Sequence, residues 1–157
     1  MRSSVFGFFA LLLLAVPAHA NVPPPEPEET VREAVLAYLE NFNAGSADGL
    51  AAMFADHPYV HVLENGRLVT AGRMGVREVI GGTLETTPGM RMEVVGDINV
   101  LMAPSGDAAV ADYTFTFHVR GDDGNEVQLF QGVTSLTVFQ GLQGWEIAAI
   151  HTSALTP

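Results

Sequence analysis

The chain changes its hydrophobic period once, from helical to alternating, and that change separates a helical half from a sheet half. Val31, Ala34, Val35, Tyr38, Leu39 and Phe42 recur at the spacing that gathers side chains on one face of a helix. Thr30-Val31-Arg32-Glu33 has capping-box spacing, which predicts the helix start at Thr30, and Asn43-Ala44-Gly45 predicts its stop. Ser46 can cap a second, short helix carrying Leu50, Met53 and Phe54. A third helix is predicted over residues 73–86, ended by Pro88-Gly89. Between them, residues 59–63 and 67–71 flank Asn65-Gly66, a pair suited to a type I′ hairpin turn because both positions need positive φ.

From residue 91 the period becomes two. Strands are predicted over 91–103, 108–120, 127–139 and 145–153, separated by Pro104-Ser105-Gly106-Asp107, Gly121-Asp122-Asp123-Gly124 and Gly141-Leu142-Gln143-Gly144. Strands joined this closely form an antiparallel meander. At about twice the usual strand length of five or six residues, such a sheet twists and curls. Helices followed by a curled meander predict an α+β domain shaped as a cone, with the N-terminal helices packed on the strongly curved sheet.

The residues ahead of the first helix change where the protein is expected to work. Arg2, the apolar run over 5–16 and Ala18-His19-Ala20 have the layout of a signal peptide over residues 1–20, cleaved near Ala20, and the run is too short for a membrane span. Residues 21–29 hold four prolines and three glutamates and are expected to be a solvated tether, leaving residues 30–154 as one domain. The expectation is an exported protein, periplasmic or extracellular, with no membrane attachment after cleavage. Beyond residue 20, six arginines and no lysine stand against eighteen acidic residues, a formal charge of −12. That surface repels phosphate backbones and anionic lipid, so a nucleic-acid partner is not expected. The chain has no cysteine, which excludes thiol catalysis and disulfides, and the missing lysine excludes Schiff-base chemistry. His57, His61, His118 and His151 lack zinc-ligand spacing, Ser105 sits in a turn with no nucleophile elbow, and no glycine loop cradles phosphate. Neither metal nor cofactor is expected.

Three stretches, "YLENFNAGSADGLAAMFAD", the hairpin leading through Gly72-Arg73 into the third helix, and the closing "GWEIAAIHTS", make the chain resemble the SnoaL-like domains of the nuclear-transport-factor-2-like superfamily. The resemblance covers residues 30–153 and extends distantly to ketosteroid isomerase. It implies a curved sheet around a long helix, an apolar pocket inside the cone, and homodimers paired through the outer sheet face. It also implies a place for a tyrosine five residues before the asparagine of the helix stop, donating a hydrogen bond to a developing oxyanion. Tyr38 holds that place, and a core tyrosine satisfied locally is the alternative. The aspartate base expected eight residues after Phe54 is replaced by Val62. Its neighbour His61 points to the other face unless the register shifts by one. The second acidic donor falls near Ser135, where there is no carboxylate.

In the closing strand, the tryptophan, two histidines and serine of SnoaL-like members become Trp145, Ala149, His151 and Ser153. Period two puts them on one face. If that face lines the pocket, His151 is the proton-transfer candidate; otherwise it fixes the strand end or a dimer seam. Asp112 and His118 share a strand face but lie ~20 Å apart along the backbone, so each would act separately in the pocket or belong to a polar outer face. Two functions follow. One is a module binding a small apolar ligand in its cone, with Trp145, Ser153, Asp112 and His118 as pocket candidates. The other is a cofactor-independent isomerase, dehydratase or cyclase moving a proton next to a carbonyl, with His151 or His61 as base and Tyr38 as oxyanion donor.

Overall fold

The computed structural model describes residues 26–121 and 123–155. The expected leader, and residues 21–25 of the expected tether, lie outside them. Among the described residues no helix is long and apolar enough to cross a membrane.

Helix α1 spans Pro27–Asn43 and begins three residues before the predicted capping box, so Pro27, Glu28 and Glu29 are helical rather than tether. Proline at the first helical position loses no hydrogen bond there, and two glutamates in the first turn face the positive end of the helix dipole. Thr30 caps nothing. Its hydroxyl donates to Pro27 O at 2.7 Å and accepts from Trp145 Nε1 at 2.9 Å, joining the helix start to the closing strand. Val31, Val35, Tyr38, Leu39 and Phe42 form the buried face of α1, as the helical spacing predicts. Ser46 does cap α2 (Ala47–Ala52), accepting from Gly49 N at 3.2 Å.

Strands β1 (His61–Glu64) and β2 (Arg67–Ala71) meet at Asn65-Gly66, with φ of 49° and 76° as a type I′ turn requires. Helix α3 follows, α-helical over Gly72–Val76 and Gly82–Thr86, with a π-helical turn over Arg77–Gly81 between. Gly81 lies in that turn against α2, where a Cβ would stand 2.6 Å from the Ala47 Cβ. The meander is β3 (Arg91–Met102), β4 (Ala108–Arg120), β5 (Glu126–Gly141) and β6 (Gly144–Ala154).

All six strands form one sheet in the order β2-β1-β6-β5-β4-β3. The hairpin joins it through a parallel pairing of β1 with β6, while every other pair is antiparallel. Four register shifts interrupt the ladders, between Val62 and Leu63, Val95 and Asn99, Phe117 and His118, and Thr137 and Val138. Such bulges bend and twist a long sheet into a cup. The concave face carries Ala111, Tyr113, Phe115, Leu136 and Ile150, and α1 lies across it. Phe54, Phe115, Leu50, Leu136 and Ile147 are fully buried, and each such side chain contributes about 1.5–3 kcal/mol of burial free energy.

Candidate functional site

The helices cover only part of the cup. Toward the ends of α1 and α3 they leave a cavity of about 350 Å³, bounded by α1, α3, the tip of the β1–β2 hairpin and the inner faces of β4, β5 and β6. Its wall is built by alternation: Val62 and Glu64 on β1, Phe115 and Phe117 on β4, and Ile150 and Thr152 on β6 all project inward. The π-helical turn brings Val79 and Ile80 of α3 to the rim. Asn43 fixes the end of α1 onto β3 by two hydrogen bonds to the Met92 backbone, accepting from its N at 2.8 Å and donating to its O at 3.0 Å.

The aromatic lining is continuous. Ring centroids are 6.4 Å apart for Tyr38–Phe42, 6.2 Å for Phe42–Phe117, 5.1 Å for the stacked pair Phe117–Phe130 and 5.9 Å for Phe115–Phe130; Phe115 leads to Tyr113 at 6.4 Å. Gly132 leaves room for this wall, since a Cβ there would lie 2.6 Å from the Phe115 ring.

A polar row crosses the same surface. Strand register places Glu64 beside Thr152, Thr152 beside Thr134, and Thr134 beside Tyr113. The two threonine hydroxyls bond at 3.0 Å. Tyr113, buried at 2 % exposure, finds no partner of hydrogen-bond geometry for its hydroxyl among the described residues, although the Thr134 hydroxyl is close enough to favour its phenolate slightly. Tyr38 is 4 % exposed and lines the cavity. Burial, and then the negative charge of Glu64, push its phenol well above the ordinary value, so it stays a neutral donor at any physiological pH. Burial and then Tyr38 push Tyr113 the same way.

The cavity therefore receives one residue of the sequence-based set, Tyr38. Val62, at the place of the missing base, faces it with an apolar side chain, and His61 on the opposite face bonds through Nδ1 to Tyr59 O at 3.0 Å. His151 does not share a face with Trp145 as strict alternation predicted. Ala149 pairs with Thr137 and Ile147 with Val138, so Ala148 is an extra residue that inverts the alternation. The bulge falls where β6 changes neighbours, from Phe54 at Ile147 to His61 at Ala149. Beyond it, Ile150, Thr152 and Ala154 point inward, and His151 and Ser153 outward. Trp145 packs against the core from the near side of the bulge and does not line the cavity.

Asp112 and His118 are on the outer face as well. Asp112 accepts from Ser135, and His118 contacts Glu126 at 3.0 Å and Thr116 at 2.9 Å. Register aligns Asn99, Asp112, Ser135 and His151 in one outer row. Among the described residues no group of three His, Asp or Glu side chains could hold a metal ion. The residues missed by sequence reading are Glu64, Thr152, Thr134 and Tyr113. Glu64 was within reach, since alternation puts it on the face of Val62, next to the turn.

A family model described as a SnoaL-like domain matches residues 35–143. Among solved structures, the chain is similar to a candidate dehydratase of the NTF2-like family from Streptomyces avermitilis, with 22 % identity, 83 % of this chain and 97 % of that one covered, and a TM-score of 0.72. It is similar also to an NTF2-like superfamily protein from Salmonella enterica, at 18 % identity, 83 % and 92 % coverage and a TM-score of 0.72. A ketosteroid isomerase-like protein from Erwinia carotovora gives 20 %, 84 % and 98 %, and 0.65. These likenesses concern the fold. No protein of curated function matches the sequence.

Proposed function

Because the chain belongs to the SnoaL-like domain family, we propose that it binds a small, mainly apolar molecule in its cone, as an exported protein that dimerises through the outer face of its sheet. The observation that carries the binding reading is the cavity of about 350 Å³, whose wall is aromatic and aliphatic and whose few polar groups are led by the neutral hydroxyl of Tyr38. Pockets for small ligands have this composition: apolar walls for affinity and a few placed polar groups for orientation. A ligand carbonyl directed at Tyr38 would accept its hydrogen bond. Export rests on the leader-like residues 1–20.

The test is titration of the protein with 2-acetylnaphthalene, a neutral ketone of suitable size, followed by calorimetry. Saturable binding of one ketone per chain is expected, with about fivefold loss in Tyr38→Phe, the range of one net hydrogen bond. Binding should vanish in Val79→Trp, which fills the rim from a half-exposed position. Absence of binding, or binding that ignores Val79→Trp, removes this reading.

A second reading, proton transfer next to a carbonyl, draws on the fact that Tyr38 and a carboxylate, Glu64, share the cavity. Neither His61 nor His151 reaches it, so Glu64 would take the proton from carbon and return it while Tyr38 holds the oxyanion. Protein-dependent exchange of the ketone's methyl protons in D2O, lost in Glu64→Gln, is the expected sign of it.

A further inference from the structure

The charged inventory of the cavity narrows the ligand class. Glu64 is the single charged side chain among the described residues that line it, and the chain has no lysine. The remaining polar lining consists of Tyr38, Asn65, Thr83 and Thr152. Glu64 stands at the mouth, held by the hairpin tip. The adjacent Asn65 donates its N–H to Thr152 O at 2.9 Å, and its Oδ1 accepts from Ala154 N at 3.0 Å, so the tip is pinned to the end of β6. The carboxylate is therefore placed by a rigid turn while remaining solvated, and no described residue forms an ion pair with it within 4 Å.

An anionic ligand entering here would bring its charge beside Glu64 with no cation in the lining to offset it, and would give up hydration to do so. A neutral ligand can at most donate a hydrogen bond to the carboxylate and gains no ion–ion attraction from it. A ligand with an apolar body and a protonated amine gains on both counts. Its body covers the wall of Phe42, Phe117 and Phe130, and its ammonium makes a charge-assisted hydrogen bond at the mouth, where it stays partly hydrated. Aromatic rings add attraction for a cation held over their faces. A formal charge of −11 on the whole chain also raises the local concentration of cations.

We propose that the cone selects small apolar amines in their protonated form, the ammonium on Glu64 and the hydrocarbon body against the aromatic wall. This rests on the binding reading above. Arg67, the cross-strand partner of Glu64 in the hairpin, lies outside the lining and is the cation placed to compete. Removing it should strengthen amine binding.

Three probes sharing one skeleton test this: 4-phenylbutylamine, 4-phenylbutan-1-ol and 4-phenylbutanoate, titrated at pH 7 and low salt. The amine should bind about tenfold tighter than the alcohol, and the carboxylate weakest, as expected for one charge-assisted bond at a partly solvated site. Glu64→Gln, at an exposed position, should weaken the amine far more than the alcohol, so that the amine-to-alcohol ratio falls toward one. Arg67→Gln should tighten the amine severalfold. An amine-to-alcohol ratio that stays the same in Glu64→Gln overturns the proposal, because the amine would then be held by the general acidity of the surface. Alcohol binding as tight as the amine overturns it too, while leaving the cavity reading intact. If none of the three binds and 2-acetylnaphthalene also fails, both fall together.

Discussion

Tyr113 carries a hydroxyl buried inside the sheet with no hydrogen-bond partner among the described residues, while the Thr134 hydroxyl beside it bonds to Thr152. A buried unpaired donor costs free energy, so Tyr113→Phe should stabilise the protein by about 1 kcal/mol in urea unfolding. A loss of similar size would mean that a bond to Thr134 forms in solution. The two buried phenols also set an alkaline limit. Both have folded-state values above the unfolded value of about 10, so the unfolded chain releases its protons first. Stability is complete below pH ~10 and falls above it, with a limiting slope of about 1.4 kcal/mol per pH unit for each phenol. Unfolding midpoints measured from pH 8 to 11.5 should fall less steeply in Tyr38→Phe and in Tyr113→Phe than in the parent chain. At this scale the sequence told less than the fold did. Tyr38 could be placed by its distance from the helix stop, whereas the row Glu64, Thr152, Thr134 and Tyr113 exists only through the register of four strands.

Elements were legible wherever a local rule governs them. The four long strands, the Asn65-Gly66 turn and the Ser46 cap all follow from patterns a few residues long, and the structure matches them to within a few residues at the strand ends. Two features had no local sign. The parallel pairing of β1 with β6 joins segments some ninety residues apart in the chain, and the bulge at Ala148 answers to a change of neighbour that Ala148 itself does not encode. The start of α1 was misplaced for a related reason. Thr30 has the spacing of a capping residue, yet its hydroxyl serves Trp145, 115 residues away. That contact ties the first helix to the last strand. Thr30→Val should lower stability by about 1 kcal/mol and alter the near-ultraviolet dichroism of the single tryptophan, whereas Thr30→Ser retains the bond. In a double-mutant cycle with Trp145→Phe the two losses should be less than additive, as expected of groups in direct contact.

The whole molecule sets an apolar inner face against an outer face of mixed character. Outside, the row of Asn99, Asp112, Ser135 and His151 is flanked by Leu101, 73 % exposed, and by Val95 and Phe139. Side chains like these suit a partner surface of the same kind, which is the basis for proposing a homodimer through this face. The net charge works against it, because two chains of formal charge −11 repel at the distances of approach. The repulsion is screened over about 10 Å at 0.1 M salt and about 3 Å at 1 M, while burial of Leu101 and Phe139 is not screened. Added salt should therefore favour association. Light scattering at about 100 μM protein is expected to show a larger dimer fraction in 0.5 M than in 0.02 M sodium chloride. Leu101→Glu, which replaces an exposed apolar side chain of the proposed contact with a further charge, should give monomers at both. A chain that stays monomeric at every salt concentration would remove the dimer and leave the cavity reading in place, since the cavity is lined from the inner face of the sheet and the proposed contact lies on the outer face.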